Sequence, residues 1–180
     1  MAELGEKHWY IVNTYSQHEN KVADNLRKRI DSLNLKDKIN FWEEVAELVY
    51  DEWADNKKEN RIIRIGNKIN KIKKLMLDKN FCKLVLIDNN ELIGFISIFP
   101  NDCEEEKDLS PWYATMYVKE KYRGRGYSKM LNDAIIKEAF NRGFEKLYLK
   151  TDLENYYEKF GAQYIKKLSS GEKLYYIKTK

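Results

Sequence analysis

The sequence predicts a mixed α/β fold, a sheet flanked by helices. Two observations carry this. The apolar period changes from helical spacing to a period of two at Phe81. A strand then runs into the glycine turn "YRGRGYS" and on into a helical pattern. A strand, a tight turn and a helix in that order are the parts of a layered sheet-and-helix domain.

In chain order, "HWYIVNT" reads as a short strand. Residues Glu19 to Leu33 place Val22, Leu26, Ile30 and Leu33 on one helical face. A second helix begins near Phe41, with Phe41, Trp42, Val45, Leu48, Val49 and Trp53 as its apolar stripe. A third aligns Ile62, Ile65, Ile69, Ile72 and Leu75, and its lysine-rich other face reads as solvated. "FCKLVLID" and "ELIGFISIF" form a hairpin around Asn89-Asn90. An acidic loop, "PNDCEEEKDLS", leads to the strand "PWYATMYV". The glycine turn follows, with a helix carrying Leu131, Ala134, Ile135 and Ala139. "FEKLYLK" is a strand, "LENYYEKF" a short helix, and "AQYIKKL" and "EKLYYIKT" are closing strands.

Composition narrows the function. The chain has 180 residues, 43% hydrophobic and 34% charged, a globular balance. No apolar run reaches membrane-spanning length. "MAELGEKHWY" lacks the basic head and apolar core of a secretory leader, so a cytoplasmic location is expected. Cys82 and Cys103 share no metal or redox spacing and read as reduced thiols. The histidines, His8 and His18, both lie near the N-terminus, which argues against a histidine metal centre and a Ser/His/Asp triad; no metal is expected. A net charge of +4, well mixed, does not argue for nucleic acid.

The turn itself is an anion site in principle, with a plain chain turn bearing solvated arginines as the other reading. Backbone N–H groups at a helix start lack intrahelical partners, and the helix dipole is positive there. Glycine removes the Cβ that would hold a phosphate away. A Walker loop fails because Tyr127-Ser128 follows Gly126. A dinucleotide fingerprint lacks its third glycine.

"MYVKEKYRGRGYSKML" resembles motif A of the GNAT superfamily of acyl-CoA N-acyltransferases. Arg123, Gly126 and Ser128 occupy its defining positions, with Ser128 departing from the usual Gly or Ala. "NYYEKFGA" resembles the superfamily's later helix-to-strand segment through Tyr157, Glu158, Lys159 and Gly161, with Ala162 in place of Phe or Trp. The resemblance covers about residues 40-180. It implies a GNAT-like three-layer fold with a central mixed, mostly antiparallel sheet flanked by helices.

The resemblance implies an N-acetyltransferase with acetyl-CoA as co-substrate. The pyrophosphate would rest on the turn, implicating Arg123, Gly124, Arg125, Gly126, Tyr127 and Ser128, with Lys129 close by. The strand before it would splay from its neighbour and offer Met116, Tyr117 and Val118 backbone groups to the pantetheine. Tyr157 would be the general acid at the sulfur, with Tyr156 its neighbour. The base stays open among Asp102, Glu104, Glu105, Glu106, Asp108 and Asp152. The acceptor would be a small-molecule or peptide amine, and the protein a monomer or homodimer. A non-catalytic acyl-CoA-binding module is the first alternative.

Residues 1-39 resemble the opening strand and helix of the NusG N-terminal domain, through Trp9, Tyr10, Thr14, Tyr15, Ser16, Glu19, Lys21, Val22 and Leu26. One strand and one helix cannot bury a core of their own. "HWYIVNT" is therefore expected to supply the first edge strand of the domain at 40-180, or to pack as an appendage. A transcription-factor-like binding protein using this segment is the second alternative.

Overall fold

A computed structural model describes residues 8–11, 40–53, 61–75, 78–89 and 91–180. The helix expected over Glu19–Leu33 lies outside them. The chain divides into two compact units, Thr14–Lys79 and the combination of Met1–Asn13 with Asn80–Lys180. By this division β1 belongs with the sheet.

The smaller unit holds α1 (Asn40–Trp53) and α2 (Arg61–Leu75), which pack against each other. Val45, Ala46, Tyr50 and Ile72 are buried. The expected stripe of α2 is not buried along its whole length. Ile62 and Ile63 lie in the first turn and are 80% and 60% exposed.

The larger unit is one sheet of seven strands: β1 (His8–Ile11), β2 (Cys82–Asp88), β3 (Glu91–Phe99), β4 (Trp112–Val118), β5 (Lys146–Thr151), β6 (Gln163–Lys167) and β7 (Lys173–Lys178). Their order across the sheet is β1-β2-β3-β4-β5-β7-β6. Every pairing is antiparallel except β4 with β5. A parallel pair requires a crossover, and α3 (Tyr127–Asn141) provides it. On the opposite edge β1 pairs with β2, Trp9 opposite Leu86.

Leu131, Ile135 and Ala139 of α3 pack with Leu84 and Leu86 of β2, Ile96 and Ile98 of β3, and Leu147 and Leu149 of β5. These alternate positions make the apolar face that the period-two pattern predicts. A second cluster joins Cys103, Trp112, Tyr148, Leu168 and Leu174. It draws in the acidic loop, which Ser169 and Lys166 also fasten through Glu105 and Glu106.

"LENYYEKF" is not a helix in the structure. Only Glu158–Phe160 forms a single 3₁₀ turn, after Asn155 at φ 54°. The segment is too short to nucleate an α-helix cheaply, and left-handed Asn155 breaks the run before its tyrosines.

Gly94 shows a strand glycine required by close approach. A Cβ there would strike the Tyr117 carbonyl oxygen and come within 3.2 Å of Val118 Cα and Leu131 Cδ1. Two of these are backbone atoms and cannot swing aside. Gly94→Ala is therefore expected to lower folding stability by about 1–3 kcal/mol, as overpacking does. Urea denaturation measures it, and an unchanged midpoint would show that the strands can part without cost.

Candidate active site

The site forms where β4 leaves β5. The two strands share one bridging pair, Trp112 with Tyr148, supported by the Tyr148 N–H donating to the Pro111 carbonyl at 3.0 Å. Beyond Trp112 they separate. On the other side β4 stays bonded to β3, but its register shifts: Ala114 faces Ser97, and Tyr117 faces Phe95. Thr115 and Met116 thus oppose the single residue Ile96, which is a β-bulge. Thr115 sits at φ 50°, a rare conformation for a β-branched residue.

Past the bulge, alternation sorts the three residues named from sequence. The Lys119 N–H donates to the Ile93 carbonyl at 2.9 Å, and the Tyr117 carbonyl lies against Gly94. Tyr117 and Lys119 therefore turn their backbone toward β3, and Met116 and Val118 turn theirs away, toward the opening. Of the three, Tyr117 has its backbone on the β3 side of the strand, opposite Phe95. The Val118 carbonyl is also occupied, accepting from Arg123 Nε at 3.0 Å.

The turn follows. A 3₁₀ segment, Glu120–Tyr122, carries the chain to Arg123. Gly124 and Gly126 take φ of 75° and 81°, and a Cβ on either would meet nothing within 4 Å. The glycines thus serve the backbone conformation and leave open space in front of it. Gly126 caps α3 with no side-chain hydrogen bond. Among the described residues, the N–H groups of Gly124, Arg125, Gly126 and Ser128 donate to no backbone carbonyl. N–H groups at a helix N-terminus are the kind of donors that bind anions.

The cationic side chains of the turn are engaged within the protein. Arg123 bonds Val118 and lies 5.8 Å over the Tyr117 ring. Arg125 lies 5.6 Å over Tyr122. Lys121 pairs with Glu91, and Lys129 reaches along the helix to Asp133 at 2.5 Å. The Tyr127 ring is buried, edge-on to Tyr122 at 6.1 Å. Its side chain is core.

Tyr157 lies on the α3 side of the sheet, packed on the main core. Its ring is edge-on to Tyr113 of β4 at 5.8 Å and to Tyr156 at 5.0 Å. Burial, then the neighbouring Tyr156 and Asp152, pushes its phenol up to about 12. Tyr113 is raised as well, mainly by burial, and its hydroxyl donates to Met116 Sδ at 3.2 Å.

Of the base candidates, Glu105 accepts from the Ser169 N–H at 2.9 Å and from its hydroxyl, which holds its carboxyl below the usual range. Glu106 is paired with Lys166 at 2.5 Å. Both are fasteners of the β6–β7 hairpin. Asp152 is exposed, and its charge raises the Tyr157 phenol. Among the described residues no cluster of three or more His, Cys, Asp or Glu could hold a metal. No helix among them is long and apolar enough to cross a membrane. A concavity of about 440 Å³ on another flank of α3, by Asn132 and Phe140, does not include the turn.

Sequence reasoning missed one polar group beside the bulge. Lys83 is 1% exposed within the otherwise apolar β2 and donates to Ser97 Oγ at 2.6 Å. The lone lysine in "FCKLVLID" was its only signal.

The phenol shift has a measurable consequence. An ordinary tyrosine ionises near 10, so Tyr157 stays neutral in the folded state while the unfolded chain loses that proton. Its contribution to stability is full below pH 10 and is lost as pH rises from about 10 to about 12. The ultraviolet phenolate difference between wild type and Tyr157→Phe is expected to develop near pH 12. A difference developing near pH 10 would contradict the burial.

Residues 39–162, more than half of the chain, match the acetyltransferase (GNAT) family model. The fold is similar to an aminoglycoside 6'-N-acetyltransferase complexed with coenzyme A, at TM-score 0.59 and 16% identity, over 77% of this chain and 91% of that one. It is similar to a spermidine N-acetyltransferase from Vibrio cholerae at TM-score 0.59 and 17% identity, over 77% and 88%. An acetyltransferase from Streptococcus agalactiae aligns over 94% of this chain and 98% of its own, at TM-score 0.55 and 14% identity. A separate local likeness joins the chain to the transcription termination/antitermination protein NusG. It is 59% identical over 34 residues to that of Bacillus subtilis, covering 19% of each chain. It is 54% identical over 37 residues to that of Staphylococcus aureus, covering 21% of this chain and 20% of that one. The chain thus spans about a fifth of the length of these curated relatives. With its splayed β4, its glycine turn opening α3 and the family match across both, the chain belongs to the acetyltransferase (GNAT) family, the acyl-CoA N-acyltransferases.

Proposed function

We propose that the protein transfers an acetyl group from acetyl-CoA to a primary amine by direct attack. The observation that carries this reading is the turn at 123–128, where the N–H groups of Gly124, Arg125, Gly126 and Ser128 meet no backbone carbonyl among the described residues and the cationic side chains turn to protein partners. The pyrophosphate of acetyl-CoA takes the N–H groups of Gly124, Arg125, Gly126 and Ser128. The pantetheine arm runs along the open side of β4, past Met116 and Val118, and the thioester reaches the point where β4 leaves β5.

The neutral amine attacks the thioester carbonyl. The C–N bond forms, and the tetrahedral oxyanion collapses with cleavage of the C–S bond. One proton leaves nitrogen and one is gained by sulfur. Tyr157 stands in the general-acid position. A thiol ordinarily ionises near 8.5, so a phenol near 12 does not yield its proton outright. Its hydrogen passes to sulfur as the nitrogen's proton replaces it, and free phenolate does not accumulate. The acceptor is a small-molecule or peptide amine; the acidic loop favours approach of a cation through its net charge. Similar folds include aminoglycoside and spermidine acetyltransferases, which fits amine chemistry.

We assign the opening segment, residues 1-39, to a NusG-like piece whose strand β1 completes the sheet edge of the domain at 40-180. The pairing of β1 with β2 supports this.

Calorimetric titration with CoA and thiol release from acetyl-CoA across an amine panel test the activity. Gly126→Glu, which sets a carboxylate before the helix N-terminus, is expected to abolish CoA binding; retained affinity would remove the cradle. Tyr157→Phe is expected to lower kcat by about a hundredfold. Binding without turnover on any amine would favour the non-catalytic acyl-CoA module. Deleting residues 1 to 38 is expected to lower stability and activity together; a truncated protein that stays folded and fully active would detach the segment from the domain.

A further inference from the structure

The buried Lys83 and the left-handed Thr115 are parts of one cluster. Lys83 Nζ donates to Ser97 Oγ at 2.6 Å and to Thr115 Oγ1 at 3.5 Å. Ser97 Oγ and Thr115 Oγ1 share a hydrogen bond of 2.7 Å. Three neighbouring strands, β2, β3 and β4, thus meet through polar side chains inside an apolar sheet. Both features are costly. An ammonium at 1% exposure is desolvated, and a β-branched residue at φ 50° is strained. Strain of this kind persists where surrounding contacts over-determine it.

A second arm leaves the same lysine. Lys83 Nζ lies 4.7 Å from the Phe95 ring centroid, Phe95 stacks on Tyr117 at 5.4 Å, and Arg123 lies 5.8 Å over Tyr117. The hydroxyl arm ends at the bulge, and the aromatic arm ends at the turn. Between those ends lies the open edge of β4.

We propose that Lys83, Ser97 and Thr115 form a buried clamp that fixes the β4 bulge and so positions the acyl thioester where β4 leaves β5, with Lys83 and Ser97 as positioning residues. This rests on the acetyl-CoA reading above. With the pyrophosphate at the turn and the pantetheine along β4, the thioester arrives beside Thr115. The clamp acts on the acyl end of the cleft and leaves the phosphate end to the backbone donors. A merely structural cluster would couple to stability alone, or weaken both ends alike.

The test needs no amine. Acetyl-CoA carrying a ¹³C label at the thioester carbonyl is bound to the full-length protein, and its carbonyl stretch is read by infrared difference spectroscopy, alongside calorimetric Kd values for CoA. In the wild type the bound band is expected to be narrow and shifted from its position in water. Thr115→Val, which keeps the shape and removes the hydroxyl, is expected to broaden the band and return it toward that position, with the Kd for CoA unchanged. Thr115→Ser, which keeps the hydroxyl, is expected to retain the wild-type band. Ser97→Ala is expected to behave as Thr115→Val, and so is Lys83→Met wherever it folds. A wild-type band in Thr115→Val and Ser97→Ala, or CoA affinity falling in step with the band, overturns the clamp and leaves the acetyl-CoA reading standing. A wild-type protein that does not bind CoA overturns both.

Discussion

The parting of β4 from β5 after a single bridging pair is the constraint on which the rest of the site depends. A strand inside a sheet normally bonds on both edges, and an unpaired edge costs unless water or a ligand satisfies it. Here β4 keeps β3 and gives up β5, so one edge of an interior strand faces an opening. The parallel pairing of the two strands obliges the chain to cross between them through α3. The same connection that makes the opening therefore brings a helix N-terminus to its mouth. The cleft and the glycine turn at its mouth have one topological cause.

The chemistry of the turn follows from what its side chains do not do. Arginines beside glycines suggest a charged grip, but Arg123 holds the end of β4 and Arg125 covers Tyr122. Lys121 and Lys129 have their own carboxylates. Exposed ion pairs contribute little to stability, yet they fix where the side chains point. Directional N–H donors and the helix dipole are what the proposed cradle rests on. Such donors are preorganised by the backbone and need no side-chain ordering on binding.

Tyr157 and Lys83 share a physical logic. Each is a polar group held where water is scarce, and each borders β4. Tyr157 answers burial by retaining its proton. Lys83 answers it with hydroxyl partners and an aromatic face. The loss of the expected helix over "LENYYEKF" sharpens the contrast. The non-helical stretch before the 3₁₀ turn sets Tyr156 and Tyr157 ring against ring, where a helix would have pointed them apart.

The sequence alone determined the strands, the helices at 40–53 and 61–75, the glycine turn and the family. Alternation, helical spacing and the φ demands of glycine are local, so they can be read residue by residue. The seven strands and the turn were legible for that reason, whereas Tyr157 was named only by the motif it sits in. Only the tertiary structure decided which of Met116, Tyr117 and Val118 face the opening, because one bulge residue inverts the alternation. Register across strands likewise committed Glu105 and Glu106 to the closing hairpin and gathered Lys83, Ser97 and Thr115 into one cluster. Those residues lie 14 and 18 positions apart in pairs, and no local period links them; pairing with β3 does.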